Sequence, residues 1–176
     1  MIGPVPYGVL PNTTHLSLRE KAIWAAFMRA NPLPEAKCFY DVEVGSIRGS
    51  VEGLKPEWEK NARYLGKYKI DVVVETPGWV CVIEVKGEAT TKALGEIWLY
   101  DDLLREEWSI KKPVLNWIVT DEEMPDIRRV CEKEGVELRV VSMLLSPPTK
   151  DAPVEDAGNK KPKEDAGKSE AIATGA

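Results

Sequence analysis

Apolar residues recur along this chain in distinct rhythms, and the changes of rhythm mark its elements. In "SLREKAIWAAFMRA", Ile23, Trp24, Phe27 and Met28 fall at helical spacing. Ser17 followed three residues later by Glu20 is the pattern of a capping box at that helix's start. "CFYDVEV" reads as a strand. "KIDVVVETPGWVCVIEVKG" is apolar on both faces and reads as a hairpin about Pro77-Gly78. "TTKALGEIWLYDDLLREEW" is the longest helix, with Leu94, Ile97, Trp98, Leu104 and Trp108 as its apolar stripe. "PVLNWIVT" reads as a buried strand, "PDIRRVCEKEG" as a short helix with proline first and glycine last, and "VELRVVSM" as a final strand. The polar connection from Gly45 to Tyr68 holds Gly45, Gly49, Gly53 and Pro56 and is expected to include one short helix. No internal repeat is present.

The predicted order is α-β-β-β-α-β followed by a C-terminal α-β extension. Antiparallel strands come first and strands alternating with helices come later, which implies an α/β fold with a mixed central sheet flanked by helices. From Ser146 the chain turns rich in Pro, Ala, Gly and mixed charge, with almost no large apolar residue. Such a segment buries too little to offset its ordering entropy. Residues 1–145 are therefore expected to form one domain and 146–176 a disordered tail, whose bland role is to solubilise or tether.

Composition narrows the chemistry. At 176 residues, 43% hydrophobic and 30% charged, the chain suits one ordinary globular domain. A net charge of −5 argues against a polycation that coats nucleic acid, but leaves room for a local basic face. No apolar run approaches the ~18 residues of a membrane span, and "MIGPVPYGVLPN" lacks the features of a signal peptide. Cys38, Cys81 and Cys131 are odd in number, widely spaced and free of any C-x-x-C pair. They are expected to be buried thiols in a reducing, cytoplasmic setting. His15 is the only histidine, so His-rich zinc sites and Ser-His-Asp triads are disfavoured and any metal must be held by oxygen.

The hairpin raises the functional question. Centred on Pro77-Gly78, it sets Glu75 opposite Val80, Val73 opposite Val82, Asp71 opposite Glu84 and Lys69 opposite Lys86. Opposed strand residues hold their Cβ atoms roughly 4.5–5.5 Å apart, so two carboxylates would lie side by side with an ammonium two residues along. A solvated sheet face predicts polar residues along its whole length, whereas here they gather at one end. Opposed carboxylates raise each other's pKa unless a cation sits between them. Mg²⁺ suits them, because it takes oxygen ligands and is often held by one or two carboxylates. A structural ion cluster is the competing reading.

Asp71, then Glu84-Val85-Lys86 thirteen residues on, resembles the motif of the PD-(D/E)XK nuclease superfamily, which includes restriction endonucleases, Holliday-junction resolvases and RecB-type exonucleases. The stretch from Ser17 to Thr120 follows that superfamily's α-β-β-β-α-β order, so the resemblance implies a restriction-endonuclease-like fold. Ile70 stands before Asp71 where many members have proline. Glu96 and Tyr100, one helical turn apart, resemble the Q-x-x-x-Y pattern of the RecB-like branch with glutamate in place of glutamine. Core packing for Tyr100 and a solvated position for Glu96 are the plainer readings. Glu20 resembles the first-helix glutamate that some members bring to the metal, and the capping box accounts for it equally well. Asp41 and Glu75 are further carboxylates near the sheet, with Glu75 expected by the turn.

The resemblance implies metal-dependent hydrolysis of phosphodiester bonds, with DNA as the expected substrate. Asp71, Glu84 and the Val85 backbone carbonyl would bind Mg²⁺ or Mn²⁺, and Lys86 would orient water or stabilise the transition state. The segment "GLKPEWEKNARYLGKYK" supplies Lys55, Lys60, Arg63, Lys67 and Lys69 against Glu57 and Glu59, with Trp58, Tyr64 and Tyr68 interleaved. It suits a nucleic-acid surface, since aromatic faces stack on unpaired bases. An amphipathic cover helix with solvated lysines is its plainer reading. Arg48 and Lys92 would extend the basic rim. Resolvase-like members act as dimers, so a homodimer is compatible. A non-catalytic nucleic-acid- or protein-binding module on the same fold is the alternative function. Trp98, Trp108 and Trp117 are expected to pack in or near the core.

Overall fold

The computed structural model describes residues 1–47, 52–53, 55–56, 58 and 66–142. Residues Met1–Leu144 form one compact unit. Arg48, Lys60, Arg63, Tyr64 and the expected tail at 146–176 lie outside the described residues, as does most of the expected helix between Gly45 and Tyr68.

The elements are β1 (Ile2–Pro6), α1 (Leu18–Ala30), β2 (Lys37–Val44), β3 (Tyr68–Glu75), β4 (Val80–Lys86), α2 (Thr91–Trp108), β5 (Val114–Thr120), α3 (Pro125–Lys133) and β6 (Glu137–Val140). The six strands form one sheet in chain order. Pairing is antiparallel from β1 to β4 and parallel from β4 to β6, where α2 and α3 provide the crossovers. The protein is thus α/β with a mixed sheet, and α1-β2-β3-β4-α2-β5 is the order expected between Ser17 and Thr120. The first strand was not anticipated: β1 adds an edge beside β2. No helix among the described residues is long and apolar enough to cross a membrane.

Two cores sandwich the sheet. On one side α1 sets Ile23, Trp24, Phe27 and Met28 against Val72, Val74, Cys81, Ile83 and Val85. On the other, α2 sets Ala93, Leu94, Ile97 and Leu104 against Val73, Val80 and Val82, joined by Cys131 of α3. These side chains are essentially inaccessible to water, and each large aliphatic one contributes about 1.5–3 kcal/mol by its burial. Trp24 donates its indole N–H to the Tyr40 hydroxyl at 3.1 Å, which donates in turn to the Val9 carbonyl at 2.8 Å. All three cysteines are buried and free. Trp117 is buried and Trp108 is half-buried against Phe39. Trp98 departs from its expected place in the stripe: it is 45% exposed, because Leu94, Ile97 and Tyr100 already fill the face of α2 that meets the sheet.

Local chemistry secures the pieces that carry the site. Ser17 and Glu20 form the expected capping box, with the Ser17 N–H donating to Glu20 Oε2 at 2.8 Å. Thr76 closes the hairpin: its N–H donates to the Trp79 carbonyl at 2.9 Å and its hydroxyl accepts the Trp79 N–H at 3.0 Å.

Candidate functional site

The hairpin register follows the sequence expectation through Glu75↔Val80, Val74↔Cys81, Val73↔Val82 and Val72↔Ile83, and ends there. Asp71 and Glu84, expected as the next directly opposed pair, lie beyond the last rung. A second break sits on the other side of β3. Tyr40 pairs Val72 and Val42 pairs Ile70, but the Asp41 between them adopts a left-handed backbone (φ 50) and leaves Asp71 without a ladder partner. That turn re-aims β2, so Tyr40 packs in the α1 core and Val42 in the α2 core. Such conformations cost of order 1–3 kcal/mol and persist where the surroundings over-determine them. Here the Asp41 carboxylate accepts the N–H and hydroxyl of Thr14, each at 3.0 Å, and the His15 N–H at 3.4 Å.

Freed from the ladder, Asp71 uses its side chain instead of its backbone: Oδ2 accepts the Val85 N–H at 3.0 Å. In an extended strand a residue's N–H and C=O leave on the same side, so the Val85 carbonyl also faces β3. Glu84 projects from the α2 side of β4, and both residues are buried, at 4% and 2% exposure. Lys86 Nζ lies 3.6 Å from Asp71 Oδ2 and in direct ionic contact with Glu84 Oε1. The two carboxylates are therefore separated by less than twice that 3.6 Å. Glu84 Oε2 is buried with no hydrogen-bond partner among the described residues.

Burial dominates the electrostatics. Desolvation raises the Asp71 carboxyl, offset in part by Lys86 and the Val85 N–H and reinforced by Glu20. Desolvation and the nearby Asp71 raise Glu84 well above the ordinary range, against the pull of Lys86. Desolvation alone would lower Lys86, but Asp71, Glu84 and Glu96 together outweigh it and hold the ammonium above its usual value. Desolvation, with Glu84 and Glu96 behind it, also raises the Tyr100 hydroxyl, so Tyr100 stays a neutral donor near the carboxylates.

The ends of β3 and β4 open into a cleft of about 740 Å³ lined by His15, Lys67, Tyr68, Lys69, Lys86, Lys92, Gly95, Glu96, Leu99 and Tyr100. Glu96 sits between two of its lysines, 3.9 Å from Lys86 and 3.4 Å from Lys92, with Oε2 buried. Tyr100 is buried beneath it and Tyr68 tilts against Tyr100 at 6.3 Å between ring centroids. Both helix residues singled out in the sequence thus reach the cleft. Glu20 caps α1 and comes within electrostatic reach of Asp71. From the basic segment, Lys67, Tyr68 and Lys69 line the cleft, Lys55 and Trp58 are exposed, and Lys60, Arg63 and Tyr64 fall outside the described residues. Glu75 lies by the turn, where Lys112 meets it at 2.9 Å.

Two site residues escaped the sequence reading. His15 reaches the cleft because Asp41 ties down the loop before α1, and its sole signal was being the only histidine. Arg19 donates to the Gly87 carbonyl at 3.0 Å and to both Asp121 oxygens, pinning the strand end that follows Lys86.

Among the described residues no three His, Cys, Asp or Glu side chains gather closely enough to form a metal cluster by themselves. Two carboxylates lie close together there, one with an unpartnered oxygen. Carboxylate oxygens suit Mg²⁺ or Mn²⁺ better than softer ions. Compared with known proteins, the chain matches no family model, no curated protein and no solved structure.

Proposed function

We propose that this protein is a divalent-metal-dependent nuclease that hydrolyses phosphodiester bonds in DNA, built on the PD-(D/E)XK pattern that its hairpin resembles. The observation that carries the reading is the pair of buried carboxylates, Asp71 and Glu84, with one orphaned Glu84 oxygen, both in contact with Lys86, which lines a cleft together with Lys67, Lys69 and Lys92. Leaving a buried carboxylate oxygen unpaired costs stability, so its retention points to a partner of positive charge.

Asp71, Glu84 and the Val85 carbonyl would hold Mg²⁺ or Mn²⁺, which supplies a lowered pKa to bound water and neutralises charge on the phosphate. The chain's own residues account for the rest. Lys86, fixed by both carboxylates, presents a preorganised cation to the scissile phosphate or the attacking water. Tyr100 offers a hydroxyl donor, Glu96 sets the position of Lys86 and Lys92, and Glu20 adds negative charge beside Asp71. Lys67, Lys69 and Lys92 line the approach of the polyanion.

One observation favours a second reading. Lys86 already bridges both carboxylates, so the cluster balances part of its charge internally, as a non-catalytic nucleic-acid- or protein-binding module would require. Titration calorimetry of Mg²⁺ and Mn²⁺ into wild type and Glu84→Ala, beside cleavage of single- and double-stranded DNA, separates the two. The nuclease reading expects binding and cleavage in the wild type and neither in the variant. A wild type that neither binds the ions nor cuts either substrate returns the cluster to a structural role.

A further inference from the structure

We infer that Glu96 is a second seat for the Lys86 ammonium, to which Lys86 moves when a divalent cation enters between Asp71 and Glu84. The inference rests on the metal site proposed above, and it makes Glu96 a positioning residue that acts through Lys86. Lys86 Nζ stands among three carboxylates. It is in ionic contact with Glu84 Oε1, 3.6 Å from Asp71 Oδ2 and 3.9 Å from Glu96 Oε2. It thus already serves the two buried carboxylates as their counter-charge. A divalent cation drawn to the same carboxylates would lie beside an ammonium where little water screens the repulsion. Lys86 escapes that repulsion by passing to an anion that is not holding the ion.

Glu96 has the features of such a seat, because its two oxygens differ. Oε1 lies 3.4 Å from Lys92, one turn earlier on α2, so the carboxylate is held from its outer side. Oε2 is buried and has no hydrogen-bond partner among the described residues. The ammonium it faces is that of Lys86, at 3.9 Å, just past hydrogen-bond reach. A buried acceptor without a donor is costly, and a movement of about 1 Å by Nζ would satisfy it with a charge-assisted bond. The four-carbon stem of lysine is flexible enough to make that movement while the backbone stays still. The departure also uncovers Glu84 Oε1 beside Oε2, which has no partner to begin with. One short swing therefore frees both oxygens of Glu84, pairs the orphaned oxygen of Glu96, and keeps Lys86 in the cleft.

The test is a double-mutant cycle of Mn²⁺ affinity, measured by titration calorimetry on the full chain. Its members are wild type, Glu96→Gln, Lys86→Met and the double variant. Glu96→Gln should weaken Mn²⁺ binding by about 10- to 100-fold, the scale of one charge-assisted hydrogen bond. In the Lys86→Met background the same substitution should cost no more than about twofold, because no ammonium is left to be received. Equal losses in both backgrounds would make Glu96 a ligand or a plain attracting charge, and no loss in either would leave it idle. Either result overturns the inference. Lys86→Met is the variant most at risk of misfolding, so a second measurement uses wild type alone. A crystal structure with Mn²⁺ bound should show Lys86 Nζ about 2.8 Å from Glu96 Oε2 and out of contact with Glu84. An ammonium still seated on Glu84 beside the ion overturns the inference as well. Cleavage of DNA in Mn²⁺ keeps the two readings apart. A coupled cycle without cleavage retires the nuclease and keeps the second seat, and cleavage with an uncoupled cycle retires the seat alone. A wild type that binds no Mn²⁺ retires both.

Discussion

The two ends of the β3–β4 hairpin carry the same pair of residue types, a glutamate and a lysine, in opposite settings. At the turn, Glu75 meets Lys112 at 2.9 Å, Lys112 also donates to the Thr76 carbonyl at 2.8 Å, and both charged side chains are about one-third exposed. The ladder is intact there and the Thr76 hydroxyl satisfies the turn. At the open end the ladder stops, Glu84 is buried, and one of its oxygens has no partner. An ion pair in contact with water contributes about 0–1 kcal/mol and can sit anywhere on a surface. A buried one costs several kcal/mol per ion in desolvation before any attraction repays it. The first arrangement explains itself as structure, whereas the second leaves a buried carboxylate oxygen without a partner among the described residues.

The largest test of that contrast is to delete each glutamate. Glu84→Ala should lower metal-dependent cleavage by at least about 10²–10³-fold, the scale for losing one preorganised electrostatic group. Glu75→Ala should leave cleavage unchanged and move stability by about 1 kcal/mol or less. Equal effects of the two on cleavage would erase the distinction. The lysines come next. Lys86→Met leaves two carboxylates buried without their counter-charge, and breaking a buried pair costs about 3–5 kcal/mol. If Mg²⁺ enters between those carboxylates, it should restore much of the lost melting temperature of Lys86→Met while cleavage stays low. Lys112→Met should shift melting only slightly, with or without Mg²⁺. A Lys86→Met protein whose melting ignores Mg²⁺ would show that the carboxylates do not share an ion.

Much of this contrast was legible in the sequence. The turn residues Thr76-Pro77-Gly78-Trp79 set the hairpin's centre, and period-2 spacing then sent Val73, Val80 and Val82 to one core and Val72, Cys81 and Ile83 to the other. The Ser17–Glu20 box and the buried thiols were equally readable, because each depends on local spacing. The break at Asp71 was not, since it depends on the backbone of Asp41 in another strand and on a loop held by Thr14 and His15. β1 escaped because Gly3, Pro4 and Pro6 interrupt the alternation that marks a strand. Trp98 was expected within the apolar stripe, and only the packing of Leu94, Ile97 and Tyr100 shows that the stripe closes without it.

A smaller effect concerns pH. Asp71 and Glu84 both have carboxyl groups raised in the folded state, chiefly by desolvation. A raised folded value means the folded protein holds protons that the unfolded chain has released. Their contribution to stability is therefore full below the ordinary carboxylate range, about pH 4, and is lost as pH rises through the folded values. Without metal, the melting temperature of wild type should fall relative to that of Glu84→Gln as pH rises above that range. Saturating Mg²⁺, which favours the ionised carboxylates, should flatten the difference. A difference that grows in the opposite direction would contradict burial as the dominant influence on Glu84.

The smallest expected effect on stability lies in the clamp behind the site. Arg19 joins the first turn of α1 to the Gly87 carbonyl at 3.0 Å and to Asp121 at 2.9 and 3.2 Å, so it fixes the backbone immediately after Lys86. Its side chain is 56% exposed, so the clamp contributes little to stability. Position is another matter, because displacing a reacting group by about 1 Å can cost up to 10²-fold in rate. Arg19→Ala should therefore lower cleavage by about tenfold while hardly moving the melting temperature. Arg19→Lys should not restore it, since a lysine cannot span a carbonyl and both oxygens of a carboxylate with one planar fork. Lys112→Ala at the turn end, with a stability change of similar size, should leave cleavage untouched. If Arg19→Ala and Lys112→Ala cut equally well, the strand end after Lys86 holds its place unaided, and the clamp belongs with the Glu75 pair as structure alone.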